Sequence, residues 1–184
     1  MPDPTLASVE DFKTWAGITA ATEDALIQDL LNGVTETAQR ETGRLLFLGT
    51  ATERHDGRGG TIIAVRNPPI ASVNSITDRN IAIEESDGAT MGWLIGPGST
   101  YIEVIGRRFS SGPVVVIEYT GGFTTIPRDL KIGALHQAKY DFDERQHTGM
   151  TSKGLGTAQS GGFLVDGLHP RFAAALARYK RGSY

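Results

Sequence analysis

The sequence, 184 residues long, predicts an α+β fold: a small helical bundle with an inserted antiparallel β-meander. Three observations lead there. Apolar residues recur at helical spacing near the start of the chain and again after Arg128. Between Thr61 and Tyr119 the pattern changes to short β-branched runs separated by turn residues. The connections between those runs are too short for the crossovers that parallel strands need.

Taken in order, Ser8 caps a first short helix, with Asp11 three residues on in a variant of the capping box. Val9, Phe12, Trp15 and Ala16 fall near one face, and Gly17 ends the helix. Thr22 is the expected cap of a second helix, followed by Glu23 and Asp24 where negative charge suits the dipole. Leu26, Leu30, Val34 and Ala38 form its stripe, widened by Ile27 and Leu31, until Gly43 stops it after Thr42. Neither helix could stand alone in water.

The β-type runs are TIIAV, SVNSI, IAIEE, WLI, YIEVI and VVVIEY, which makes about five or six strands. Pro68 and Pro69 cannot donate to a ladder, and Asp87-Gly88 suits a tight reversal. A long helix follows from about Arg128 to His147, with Leu130, Ala134, Leu135, Ala138 and Phe142 on one stripe. The stretch TGMTSKGLGTAQSGG has no periodicity and reads as a flexible loop over 148–166. A short C-terminal helix closes the chain, with Phe172, Leu176 and Tyr179 on one face and Arg171, Arg178, Lys180 and Arg181 around it. The whole reads as a single domain over 1–184, with 1–48 and 120–184 as the helical part and 61–119 as the inserted β lobe.

Composition narrows the function classes. The absence of cysteine excludes disulfides, thiolate metal sites and cysteine nucleophiles together. A net charge of −3 argues against strong sequence-independent binding to nucleic acid, which depends on neutralising many phosphates. The opening MPDPTLASVEDFKTW has neither a basic start nor an apolar core, so no secretory signal is expected, and no apolar run approaches the roughly 20 residues that cross a bilayer.

Several stretches imitate functional motifs. In IEYTGGFTTIPRDLK two glycines lie between a strand and a helix, where many proteins hold phosphate. Pro127 removes a donor there and Asp129 places a carboxylate in the first turn, so the loop is read as turning the chain. His136 and His147 share a helix face but lie roughly 16 Å apart along the axis, too far for one ion. Asp143 with His147 lacks a third ligand, and Asp141, Asp143 and Glu144 diverge around a solvated surface. His55 beside Asp56 has no serine in a nucleophile elbow, and GLGTAQSGG has no strand before it to make a dinucleotide fingerprint. Trp15, Trp93 and Phe12 are read as core. No catalytic, cofactor or metal site is therefore expected, and the basic end is the stronger candidate for contact with a partner.

Two stretches, SVEDFKTWAGITAATEDALIQDLLNGVTETAQRETGRLL and VVVIEYTGGFTTIPRDLKIGALHQAKYDFDER, together with the weaker RFAAALARYKR, resemble the head-tail connector (adaptor, or head-completion) family of tailed bacteriophages and related prophage elements. The first two cover rather under half of the chain. The resemblance implies a virion protein of the neck, assembled in the host cytoplasm. It would be a subunit of a homo-oligomeric ring, twelvefold in the particle, that sits beneath the portal protein, meets downstream neck or tail-completion proteins, and extends the channel for DNA. An acidic subunit would let DNA pass without specific binding. On this reading the chain is a non-enzymatic adaptor without cofactor or membrane contact. Phe172, Leu176 and Tyr179 are its expected apolar anchors on the portal, Arg178 and Arg181 its charged rim, and removal of residues beyond His169 is expected to leave a folded protein. The alternatives are a DNA-binding packaging accessory that uses the basic end, and an enzyme on cell-wall glycan, which would need convergent carboxylates.

Overall fold

The computed structural model describes residues 4–145, 153–155, 159–161 and 167–180. In chain order the elements are α1 (Val9–Ala16), α2 (Asp24–Thr42), β1 (Gly49–His55), β2 (Ile62–Ala64), β3 (Ile70–Asp78), β4 (Ile81–Ala82), β5 (Gly92–Ile95), β6 (Tyr101–Ile105), β7 (Val115–Gly121), α3 (Arg128–Glu144), β8 (Lys153–Leu155), β9 (Gln159–Gly161) and α4 (Pro170–Tyr179). They fall into two compact units, residues 1–43 with 126–184, and residues 44–125, where the sequence is read as one domain with an inserted lobe.

The first unit contains the four helices. The capping box of α1 forms as read: Ser8 Oγ accepts from Asp11 N at 3.1 Å, and Asp11 Oδ2 accepts from Ser8 N at 3.0 Å. The start of α2 differs. Glu23, not Thr22, is the N-cap and makes no side-chain cap bond. Ion pairs hold that turn instead, from Asp24 to Lys13 at 2.8 Å and from Glu23 to Arg145. The buried face of α2 is also rotated from the expected stripe, for Ile27, Leu31, Val34 and Ala38 are inside while Leu26 is 40% exposed. Thr35 and Thr42 join that buried face because their hydroxyls donate to the carbonyls of Leu31 and Ala38, both at 2.7 Å.

All five residues expected on the α3 stripe are buried. Phe142 meets Phe12 with ring centroids 5.5 Å apart. Trp15 is a correction: it is 44% exposed, whereas Phe12 and Trp93 are core as read. The unit also holds the two-stranded antiparallel sheet of β8 and β9. The loop expected over 148–166 otherwise lies outside the described residues.

The second unit has two antiparallel sheets, ordered β1-β7-β3-β4 and β2-β6-β5. Side chains of both enclose one core, including Ile76, Ile117 and Tyr119 from the first and Ile63, Ile102 and Trp93 from the second. The last strand, β7, lies between β1 and β3, so the spatial order departs from the sequence order of a simple meander. Its register sets Ala51 and Val73 opposite Tyr119 on either side. After β7 the two glycines do turn the chain, and close approach requires them: a Cβ on Gly121 would stand 2.2 Å from the carbonyl oxygen of Asn67, and one on Gly122 2.1 Å from that of Phe47.

Candidate partner-binding surface

The C-terminal helix is built onto the first unit at three points. At its start, Pro170 occupies the first turn, where no N–H is needed, and His169 Nδ1 accepts from Arg171 N at 3.2 Å. Gln137, buried on α3, grips the entry to that turn. Its Oε1 accepts from His169 N at 2.6 Å, and its Nε2 donates to Gly167 O and to Asp141, each at 2.8 Å. Burial pushes the Asp141 carboxyl up.

Along its length, α4 turns Phe172, Ala175 and Leu176 inward. Gly133 of α3 lets the two helices meet, since a Cβ there would already lie 3.3 Å from Phe172 Cα and from Ala175 Cβ. At its end, Tyr179 donates to Asp129 Oδ1 at 2.8 Å, Arg178 pairs with Asp129 Oδ2 at 3.3 Å, and Lys180 with Glu41 at 3.5 Å. The carboxylate that spoiled the apparent phosphate loop thus anchors this helix.

These contacts change the meaning of the expected anchors. Phe172 and Leu176 are 0% and 1% exposed, so they seal the helical core and offer nothing to a partner while α4 is seated. Tyr179 is partly buried on Asp129, and Arg178 stands in solvent beside it. Arg181 lies outside the described residues. The outer face of α4 carries Arg171, Ala173, Ala174, Ala177 and Arg178. Sequence spacing found the amphipathic helix but could not say that its apolar side was already taken.

Beside the start of α4 lies an aromatic cluster that the sequence reading missed. The His136 and His169 rings stack with centroids 5.0 Å apart and planes at 12°, and Trp15 meets His136 edge-on at 5.0 Å. Arg171 Nη1 is 3.5 Å from His136 Nε2. Burial first, then the charges of His169 and Arg171, push the His136 imidazole below its usual value. The signal was in the sequence only as three residues far apart in number.

The remaining motif candidates have structural partners. Asp143 pairs with Lys139 on the helix surface, and His147 lies outside the described residues. No group of three His, Cys, Asp or Glu side chains able to hold a metal occurs among the described residues. His55 does not turn to Asp56 but binds Glu53, with Nε2 2.7 Å from Oε2. Asp56 Oδ1 accepts from the backbone N–H groups of Arg58 at 2.9 Å and Gly112 at 2.7 Å, a local turn contact. No helix among the described residues is long and apolar enough to cross a membrane.

A family model described as "Head completion protein" matches residues 5–161. No curated protein matches the chain. Among solved structures, a chain of the "Neck of native GTA particle computed with C12 symmetry" is 18% identical, with a TM-score of 0.58 over 96% of this chain and 89% of that one. A chain of the "Virion of native gene transfer agent (GTA) particle" is 19% identical, with a TM-score of 0.60 over 96% of this chain and 90% of that one. A third, from the "Neck of empty GTA particle computed with C6 symmetry", is 17% identical at a TM-score of 0.58, over 96% and 90%. At such identities the likeness is one of fold.

Proposed function

The chain belongs to the head completion protein family, and from that premise we propose that it is a structural subunit of the neck of a tailed-phage-like particle. It forms a ring, joins the portal to downstream neck or tail proteins, and extends the channel through which DNA passes. The observation that carries this is the family match over residues 5–161. The likeness in fold to a chain of a neck computed with C12 symmetry supports the ring. Among the described residues, the candidate catalytic groups make contacts within the fold, as His55 does with Glu53 and Asp143 with Lys139.

The portal contact is placed on the outer face of α4 and the residues after it. On this reading Arg178 and Arg181 would form the charged rim and Tyr179 would border that face, while Phe172 and Leu176 hold the helix in place. The reading as a DNA-binding accessory is weakened by the pairing of Arg178 with Asp129 and Lys180 with Glu41.

Negative-stain microscopy of the purified protein, alone and mixed with the portal of the same particle, tests the proposal. A ring added to one end of the portal is expected, and Ala177→Glu with Arg178→Glu should reduce it while the chain stays folded. A folded chain that never associates with portal or any other vertex component would overturn the reading.

A further inference from the structure

We propose that neighbouring copies in the ring meet through two unlike faces of the helical unit, with Trp15 of one copy docking against the Gly33 face of α2 in the next. This rests on the ring reading above and names its contact.

The first face surrounds Trp15. Trp15 borders a hollow of about 620 Å³ whose apolar lining includes Ile132 and Leu135. Two exposed cations flank it. Arg128 has no ion pair among the described residues, and Arg171 touches only the neutral ring of His136 there. The face is therefore apolar at its centre, and because Asp11 and Lys131 on its border neutralise each other in a 2.8 Å ion pair, Arg128 and Arg171 leave it net positive.

The second face runs along α2. Leu26, Asp29, Gly33 and Glu36 follow one another at helical spacing and are all exposed. Leu26 and Trp15 are the large apolar side chains left exposed among the described residues of this unit. Asp29 and Glu36 have no ion pair among the described residues. Gly33 is the telling residue. A glycine in mid-helix is less stable than alanine, yet a Cβ at Gly33 would meet nothing within 4 Å, so no contact inside the described molecule calls for it. It lies in a groove of about 220 Å³ bordered by Asp29, Leu30, Gln137 and Asp141. A missing side chain on an outward groove admits a bulky group from another molecule.

The two faces are complementary in charge: a half-exposed indole flanked by cations, and a groove beside carboxylates. They also lie on different sides of α3. At about 100° per residue, positions 132, 135 and 136 point away from positions 137 and 141. Unlike faces on opposite flanks give a head-to-tail contact, which closes into a ring when the rotation allows it. An isologous dimer would pair each face with itself and set like charges together.

The natural sequence has no cysteine, which makes the test direct. The full chain carrying both Thr14→Cys, on the border of the Trp15 hollow, and Thr37→Cys, on the border of the Gly33 groove, keeps Trp15 and Gly33 and should give covalent oligomers longer than dimers on oxidation. Each single variant should give no covalent dimer, and an equimolar mixture of the two should give covalent dimers. Gly33→Leu supplies a second reading. It should raise the thermal midpoint, because leucine favours the helix and finds open space, yet reduce ring formation by at least about tenfold by filling the notch. Self-linking of either single variant, or rings from Gly33→Leu as abundant as from the natural chain, would overturn the proposed contact and leave the ring reading standing. A natural chain that yields neither rings nor oligomers, alone or on its portal, would remove the ring reading and this contact with it.

Discussion

The phenol of Tyr119, on β7, donates a 2.6 Å hydrogen bond to Glu53 Oε1 on β1, so two residues separated by 66 positions are joined by a buried contact within the β unit. Glu53 also accepts from the Arg66 N–H, 3.1 Å from each oxygen, and from Asn67 Nδ2 at 3.3 Å. The Asn67 N–H donates to the Tyr119 oxygen at 2.9 Å. Tyr119→Phe should therefore lower stability by about 1–3 kcal/mol, because the Asn67 N–H loses its acceptor and the buried Glu53 carboxylate loses its shortest hydrogen bond. Denaturant unfolding of the two proteins measures the difference, and equal midpoints would show that water replaces the phenol.

The same carboxylate makes the β unit sensitive to acid. Burial pushes Glu53 up, but the bonds from His55, Tyr119 and the Arg66 backbone outweigh it and hold the group below its ordinary 4.5. A carboxyl depressed in the folded state adds stability that is present above pH 4.5 and is lost as the pH falls through the folded value. Glu53→Gln cannot titrate. Its unfolding midpoint should be lower at neutral pH and should fall less steeply below pH 4.5 than that of the natural chain.

Phe172→Ala should cost about 3–5 kcal/mol, since the ring is fully buried and its backbone lies against Gly133, with no room for collapse by a simple shift of α4. The consequence reaches the expectation that residues beyond His169 could be removed. That deletion would uncover the α3 residues packed beneath α4, so it should abolish cooperative unfolding of the helical unit instead of leaving it intact. Thermal melts of the substitution and the deletion check both statements.

Helices were legible where a cap and an apolar period agreed, as from Ser8 through Phe12 and along the five stripe residues of α3. The start of α2 was not, because its first turn is held by Lys13 and Arg145, partners that local pattern cannot supply. Strand β1 was missed for a related reason: in GTATERH the buried residue is the carboxylate Glu53, so the run shows no apolar alternation. The α4 anchors illustrate the limit for the site. An amphipathic helix announces that one face must be covered, and only the fold tells whether the cover is Gly133 of the same chain or another protein.

The stacked imidazoles give a last prediction. His136 is pushed below its ordinary 6.5 by burial and by the charges of His169 and Arg171, so protonation opposes the folded state. Its contribution is fully present above pH 6.5 and is lost as the pH falls toward the folded value. The charged and titratable groups around it are His169 and Arg171 from the α4 side and Tyr140 on α3, while α1 contributes the neutral ring of Trp15. His169→Asn keeps a side chain able to cap α4 but removes the second imidazole. In that variant the His136 ring resonances should titrate closer to 6.5 than in the natural chain, while the thermal midpoint at neutral pH changes little. A His136 titration that does not move would mean that burial and Arg171 depress it and that the stack is electrostatically silent.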